Sequence, residues 1–250
     1  MNMLKRLRGK TALYAKYRPC YPKTCMDFLA DSVGMRGCKV ADMGSGTGIF
    51  SRLLCAFAER VYAVEPHDEM RRLCEIQSAP FENVHICATC AEASRLPENY
   101  VDFVSASQSF HWFDRPKFKR ECRRILKPQG GVVLLWNHLE RDDEVLLALR
   151  ALCEKLGFSY TGIGTRDDRT LRSIKRFYDG GKYRYESFDN TILLTREQFV
   201  GRYLSSSFAP AQEDPGYDDY VQGLIDIFKK FHQEENIKLR YRSSVLVGKV

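Results

Sequence analysis

One run constrains this chain more than any other: Val40-Ala-Asp-Met-Gly-Ser-Gly-Thr-Gly48. Lys39 to Met43 reads as a short apolar strand, and it runs straight into glycines at 44, 46 and 48. Phe50 to Phe57 then reads as a helix. Glycine lets the backbone turn sharply and lets a ligand approach the main chain closely. A second strand, Val61 to Val64, ends in Glu65, 23 residues after Asp42. An acid there can take both hydroxyls of a ribose in a bidentate hydrogen bond. Strand, glycine turn, helix, strand and terminal acid, in that order, are a far stronger signal than a glycine turn alone.

The alternation continues. His67 to Gln77 reads as a helix, Val84 to Cys87 as a third strand and Val101 to Ala106 as a fourth. A helix is expected from about Arg115 to Leu126, a sharp turn at Pro128-Gln-Gly-Gly131 and a fifth strand from Val132 to Trp136. Alternating strands and helices with short connections imply a parallel sheet covered on both faces. After Asn137 the rhythm changes. Glu140 to Leu156 reads as one helix, and residues 160 to 182 show no period. Tyr183 to Phe188 alternates as a strand does. Thr195 to Ser206 and Tyr217 to Phe231 read as helices, and Ile237 to Val247 as a strand returning to the sheet edge. The expected organisation is a single domain over 1–250. Within it, 1–37 holds N-terminal helices, 38–137 a binding core, 138–235 partly a cap elaboration and 236–250 the terminal strand.

Two cofactor classes fit such a turn. A nicotinamide site has GxGxxG, whose backbone and helix N-terminus hold a pyrophosphate. Here the spacing is GxGxG, and Asp42 stands two residues before the first glycine. A carboxylate there suits a cationic amino group better than a phosphate, so a nucleoside carrying an amino acid is favoured.

These motifs resemble those of class I S-adenosylmethionine-dependent methyltransferases. Ala41 to Gly48 resembles the family's first motif, Val64-Glu-Pro66 its second, and Cys90-Ala-Glu92 with Leu96-Pro97 its adenine-contact stretch. Leu126-Lys-Pro-Gln-Gly-Gly131 resembles the turn before its fifth strand. Tyr14-Ala-Lys-Tyr-Arg-Pro-Cys-Tyr-Pro22, Gln108 to Asp114 and Gly201 to Pro210 resemble a small-molecule branch that includes trans-aconitate methyltransferase-like proteins. The resemblance implies a Rossmann-like α/β fold, with a mostly parallel seven-stranded sheet, helices on both faces and a cap in the C-terminal half. It also implies S-adenosylmethionine as cofactor, with S-adenosylhomocysteine as product.

Carried over residue by residue, the resemblance places Tyr14, Arg18, Asp42, Gly44, Ser45, Gly46, Thr47, Gly48, Glu65, Pro66, Met70, Cys90, Ala91, Glu92, Ser107 and Gln108 about the cofactor. Gly44 and Gly46 would line its methionine part, Asp42 would hold the amino group, Arg18 the carboxylate and Glu65 the ribose. Many relatives have Asp where Cys90 stands, and a thiol is a poor acceptor for an adenine amino group. Tyr17, His111, Trp112, Tyr203 and Ser207 are the candidate acceptor pocket. His111 follows the fourth strand and is the one candidate for a general base, with helix capping or packing beside Trp112 as the alternatives.

Composition narrows the function classes. The chain is 44% hydrophobic and 28% charged over 250 residues, as a folded globular domain is. No apolar run approaches the roughly 20 residues of a membrane helix, and no apolar core follows the basic MNMLKRLRGK start, so cytoplasm is the expected compartment. Nine cysteines without a framework pattern fit reduced thiols. The lone Cys87-Ala-Thr-Cys90 lacks the further ligands of a zinc site, so no metal is expected. The net charge of +7 equals the seven cations of the first 24 residues, which contain no acid. A second basic run, Arg115 to Lys127, alternates with Phe118, Cys122, Ile125 and Leu126 and reads as the wet face of an amphipathic helix. The leading expectation is methyl transfer to a small molecule, a carboxylic acid among the candidates. An RNA-methylating enzyme and a non-catalytic cofactor-binding protein are the alternatives, and a nucleic-acid partner is not favoured. Nothing in the sequence bears on oligomeric state.

Overall fold

The computed structural model describes residues 10–158, 168–206 and 208–250, with backbone alone at 12, 14 and 168–171. Among them are eight strands: β1 Lys39–Met43, β2 Arg60–Val64, β3 Val84–Cys87, β4 Val101–Ser107, β5 Leu126–Leu139, β6 Arg184–Leu194, β7 His232–Gln233 and β8 Asn236–Gly248. The α-helices are α1 Thr11–Tyr17, α2 Lys23–Asp27, α3 Ile49–Leu54, α4 Asp68–Ser78, α5 Arg115–Ile125, α6 Glu144–Lys155, α7 Asp168–Phe177, α8 Arg196–Leu204 and α9 Tyr217–Phe231.

Seven strands lie on one path in the order β3-β2-β1-β4-β5-β8-β6, and the two-residue β7 pairs with β8. β1 is parallel to β2 and to β4, β2 to β3, and β4 to β5. The chain therefore starts mid-sheet, steps outward to β3, and returns to the other side of β1. That reversal between β1 and β4 is a topological switch point, where ligands bind at the carboxyl ends of parallel strands.

Two expectations are corrected. Pro128 to Gly131 is not a turn before a new strand, because β5 runs unbroken from Leu126 to Leu139. Its register shows why the sequence looks turn-like. Val101 pairs with Leu126 but Phe103 with Gly131, so β5 advances five residues while β4 advances two. The surplus is a bulge, and a Cβ at Gly130 would stand 2.8 Å from the Asp102 carbonyl. The aperiodic stretch after residue 160 also contains a helix, α7; residues 159–167 before it lie outside the described residues.

The chain divides into two compact units. One comprises Cys20–Asn137, the described part of Gly164–Phe188 and Ser243–Val250; the other comprises the described parts of Met1–Pro19, His138–Ile163 and Asp189–Arg242. In the first, strand alternation sends Val40, Val61, Val133, Leu135 and Val245 to one face, where they pack with Cys25 and Leu29 and with Phe50 and Leu54 of α3. Trp136 points the other way. There Phe110 stands edge-on to Trp136 at 6.2 Å and to Phe177 of α7 at 4.8 Å, and Phe118 of α5 stacks on Phe177 at 5.4 Å. Both faces of the sheet are thus covered by helices within this unit. The second unit packs α6, α8 and α9 about Leu149, Phe199, Tyr220, Leu224 and Leu239. Its α8 starts with a reciprocal cap: Gln198 N–H donates to Thr195 Oγ1 and Thr195 N–H to Gln198 Oε1.

Candidate active site

The site begins at the turn after β1. Gly44, Gly46 and Gly48 have φ of 68°, 58° and 77°, the left-handed region that only glycine enters without strain. Gly44 N–H and Ser45 N–H both donate to the Val64 carbonyl, at 2.8 and 3.1 Å, which ties the turn to β2. Gly46 N–H donates to Glu65 Oε2 at 2.8 Å. The other oxygen, Oε1, accepts from His67 N–H at 2.8 Å. Glu65 is therefore clamped between the glycine turn and the start of α4, 5% exposed. Burial pushes its pKa up, while the two backbone N–H groups hold it down. A carboxylate offers about four lone-pair positions, so acceptor capacity remains for a ligand's hydroxyls.

Asp42 differs from the sequence expectation. It is 1% exposed, and its oxygens accept from Ser51 Oγ at 2.6 Å and Ser105 Oγ at 3.0 Å. Burial raises its pKa to about 6, against those two hydrogen bonds. The carboxylate sits under the turn and braces β1 against α3 and β4. It does not reach out toward a ligand's amino group. Ser51 and Ser105 were not singled out in the sequence, although Ser105 is a polar residue inside an otherwise apolar strand. Ser109 was missed too: its Oγ donates to the Met43 carbonyl at 2.6 Å, and it packs where a Cβ on Gly44 would go.

The neighbouring strand ends contribute the rest. Pro66 follows Glu65, and Met70 is buried in α4. After β3, Cys90 bridges to Ala93, Ala91 is buried, and Glu92 Oε1 accepts from Asp114 N–H at 2.8 Å, fixing the entry to α5. Cys87 and Cys90 are both free thiols. At the end of β4, Ser107 Oγ and Tyr21 Oη are 2.7 Å apart. Gln108 follows with φ 58°, a conformation a non-glycine residue adopts at a cost, and its Nε2 donates to the Asn137 carbonyl at 3.0 Å. His111 lies in the 3-10 turn Phe110–Trp112 with its ring 4.7 Å from that of Trp112, which is 40% exposed. No group of three or more His, Cys, Asp or Glu that could hold a metal occurs among the described residues.

The remaining candidates belong to the other unit. Tyr17 Oη donates to Glu197 at 2.6 Å, Arg18 Nη2 donates to the Ser205 carbonyl at 3.3 Å, and Tyr203 is buried in the helical core. The side chain of Tyr14 and all of Ser207 lie outside the described residues.

Comparison with known proteins agrees with this geometry. Residues 41–134 match the family model of a methyltransferase domain. An uncharacterized methyltransferase-like protein of Schizosaccharomyces pombe is 29% identical over 96% of this chain and 93% of its own. An uncharacterized methyltransferase of Mycobacterium bovis is 35% identical over 63% of this chain and 60% of its own. A solved structure described as a candidate type II methyltransferase, from Anaeromyxobacter dehalogenans, superposes with a TM-score of 0.62 at 20% identity, over 93% of this chain and 98% of that one. A geranyl diphosphate C-methyltransferase of Streptomyces coelicolor, solved with S-adenosyl-L-homocysteine, shares the fold at a TM-score of 0.50 and 14% identity, over 91% of this chain and 78% of that one.

A parallel sheet read at its switch point, with a glycine turn and an acid at the next strand end, defines a class I fold built for an adenosyl cofactor. Residues 41–134 are similar to a methyltransferase domain, the named relatives are methyltransferases, and the fold and its neighbours support S-adenosylmethionine as the cofactor. The turn fits that group. Ser45 Oγ and Thr47 Oγ1 are buried without a hydrogen-bond partner, and a Cβ built on Gly46 meets no atom within 4 Å. Open space beside unspent hydroxyls is what a polar ligand fills.

Proposed function

We propose that this enzyme methylates a small molecule by in-line transfer. The carrying observation is the pairing within the basic run Arg115 to Lys127, the kind of run a nucleic-acid partner would use. Lys117 pairs with Asp114, Lys119 and Arg123 with Asp179, Arg124 with Glu121, and Lys127 with Asp102. Five of its seven cations thus lie against acids of their own unit, which leaves little of the continuous positive field that phosphate tracking needs.

In this reading the glycine turn receives the cofactor's amino-acid part, with Ser45 and Thr47 donating. Glu65 accepts from the ribose hydroxyls, and Ala91 and Met70 wall the base. Asp42 acts indirectly, by bracing the turn. Bound S-adenosylmethionine supplies an electrophilic methyl group on a sulfonium. The protein's task is to align a nucleophile and exclude water. Gln108, His111 and Trp112, at the end of β4, are the residues we propose meet the acceptor, with His111 the candidate general base.

The test has two stages. Calorimetry should show binding of S-adenosylmethionine and S-adenosylhomocysteine but not NAD. Glu65→Ala should weaken it by about 1.5–3 kcal/mol through loss of charge-assisted contacts. An acceptor panel should then yield S-adenosylhomocysteine from small molecules. Salt-dependent RNA or DNA binding with methylation of that nucleic acid would overturn the reading.

A further inference from the structure

Glu121 is the one acid between Arg115 and Lys127, and it does not share the wet face of α5 with the cations around it. With Phe118, Cys122 and Ile125 it is a buried residue of that helix, 7% exposed. A carboxylate is costly to bury unless charge and hydrogen bonds meet it. Both its oxygens are met. Arg124 donates to Oε1 from Nη2 at 2.8 Å and to Oε2 from Nε at 2.9 Å. Oε1 also accepts from Ser94 N–H at 2.8 Å and from Ser94 Oγ at 2.5 Å. Burial pushes the Glu121 pKa up, but the hydrogen bonds from Arg124 and Ser94 outweigh it and leave the carboxyl below its ordinary value.

Ser94, 2% exposed, closes the segment that follows β3. Its carbonyl accepts from Thr89 Oγ1 at 3.1 Å, and inside that closure Ala93 N–H donates to the Cys90 carbonyl at 3.2 Å. On the other side, Leu96 N–H donates to Ser94 Oγ at 3.3 Å, and the Leu96 carbonyl accepts from Arg124 Nη2 at 2.8 Å. Arg95, between these two anchors, has φ 60°, a conformation a non-glycine residue keeps only where its surroundings impose it. Glu121 and Arg124 therefore grip the chain at 94 and 96, and through Ser94 the grip reaches Cys90, Ala91 and Glu92. A buried ion pair is a weak source of net stability, so the worth of this one lies in the geometry it imposes. That geometry matters because of Cys90. A thiol is a poor acceptor for an adenine amino group, so recognition of the base falls to main-chain groups, which are only as well placed as the segment that carries them.

We propose that Glu121 is a positioning residue for cofactor binding, holding residues 89–94 in the conformation that receives the adenine. This rests on the reading that Cys90, Ala91 and Glu92 flank the base.

The experiment titrates S-adenosylhomocysteine and S-inosylhomocysteine into the intact protein by calorimetry. Hypoxanthine carries a carbonyl where adenine has its amino group and a proton on the adjacent ring nitrogen, so it reverses two hydrogen bonds and leaves the rest of the ligand unchanged. Wild type should prefer the adenosyl ligand by at least about tenfold. Glu121→Met should weaken the adenosyl ligand by about tenfold and cut the preference to about threefold or less. Glu121→Gln keeps an oxygen for Ser94 and should stay within about threefold of wild type in both respects. Ser94→Ala leaves the ion pair intact and should cut the preference by about threefold, which keeps the test open if Glu121→Met does not fold. Ile125→Val trims the same buried face and should lower the melting point without moving the preference. Ala91→Leu should weaken S-adenosylhomocysteine by at least about tenfold, by filling the space of the base. An undiminished preference in Glu121→Met, or in Ser94→Ala where Glu121→Met does not fold, would overturn the positioning role. Equal losses in Glu121→Gln and Glu121→Met would overturn it too, since the hydrogen bonds to Ser94 would then not be what matters. A wild type that binds both ligands alike, or an Ala91→Leu variant that binds S-adenosylhomocysteine as wild type does, would instead remove the reading of residues 90–92 on which the role depends.

Discussion

Gly46 and Gly48 share a left-handed backbone, but their surroundings differ. Beside Gly46 there is open space, whereas a Cβ on Gly48 would stand 2.6 Å from the Cys74 thiol. Alanine at either site carries the left-handed cost of roughly 1–2 kcal/mol. Only at 48 does overpacking of α3 against α4 add about 1–3 kcal/mol. Gly46→Ala should therefore lose cofactor affinity with a modest drop in melting temperature, and Gly48→Ala should lose more stability. Calorimetric titration and thermal melts, run on both variants, separate the two effects. Asp42 makes a pH prediction. Its folded pKa, about 6, lies above the unfolded value of 3.8. The stability linked to that raised pKa is fully present below about pH 3.8 and is lost as pH rises through about 6. Across that window the wild type should lose up to about 3 kcal/mol relative to Asp42→Asn, which cannot ionise. Denaturant melts from pH 4 to 8 that run parallel for the two proteins would show that Asp42 is not a buried ionising carboxyl. At this scale, the sequence marked the glycines and Glu65 because their chemistry is tied to spacing. The side chain of Asp42 was misdirected because its partners, Ser51 and Ser105, come from a helix and a strand that spacing cannot bring together.

Elements were legible where a local pattern and a boundary signal coincided. Tyr217–Phe231 and Val84–Cys87 fall where expected, and α8 is bounded by the Thr195 and Gln198 cap. Signals failed where tertiary pairing overrode them. Pro128-Gln-Gly-Gly131 carries strong turn chemistry, but pairing with β4 keeps it extended and absorbs the surplus as a bulge. Helix α7 follows a stretch rich in Gly, Arg and Asp, and Leu171, Ile174, Phe177 and Tyr178 recur at helical spacing, a period lost when residues 160 to 182 are read as one stretch. Within the helical unit, Gly201 makes a prediction about helix packing. A Cβ there would collide with the Tyr17 ring, so α1 and α8 approach as closely as they do because position 201 has no side chain. Gly201→Ala should cost about 1–3 kcal/mol through that overpacking, despite alanine's better helix propensity. Tyr17→Leu alone loses the hydrogen bond to Glu197, yet in the Gly201→Ala background it should recover stability. A double-mutant cycle with additive losses would show that the two residues do not press on each other.

At the scale of the molecule, the cofactor footprint proposed above draws on one unit: the turn after β1, Glu65, the segment after β3 and the end of β4. The argument for its boundaries is thermodynamic. A ligand that binds the folded state stabilises it by RT ln(1 + [L]/Kd), about 2.7 kcal/mol at a hundredfold excess over Kd. Amides that exchange only through unfolding of that unit should slow by the same free energy, roughly a hundredfold. Amides that open locally, without disturbing the site, should not slow. Hydrogen exchange with and without S-adenosylhomocysteine should therefore slow Val40 to Gly48, Val61 to Glu65 and Val101 to Ser107. It should leave the amides of α9, buried about Tyr220 and Leu224, less affected wherever they open independently of the sheet. Equal slowing of α9 and β1 would mean that the two units unfold as one cooperative body. Slowing confined to α9, with none at the glycine turn, would place the adenosyl ligand elsewhere and remove the basis for the roles assigned to Ser45, Thr47 and Glu65.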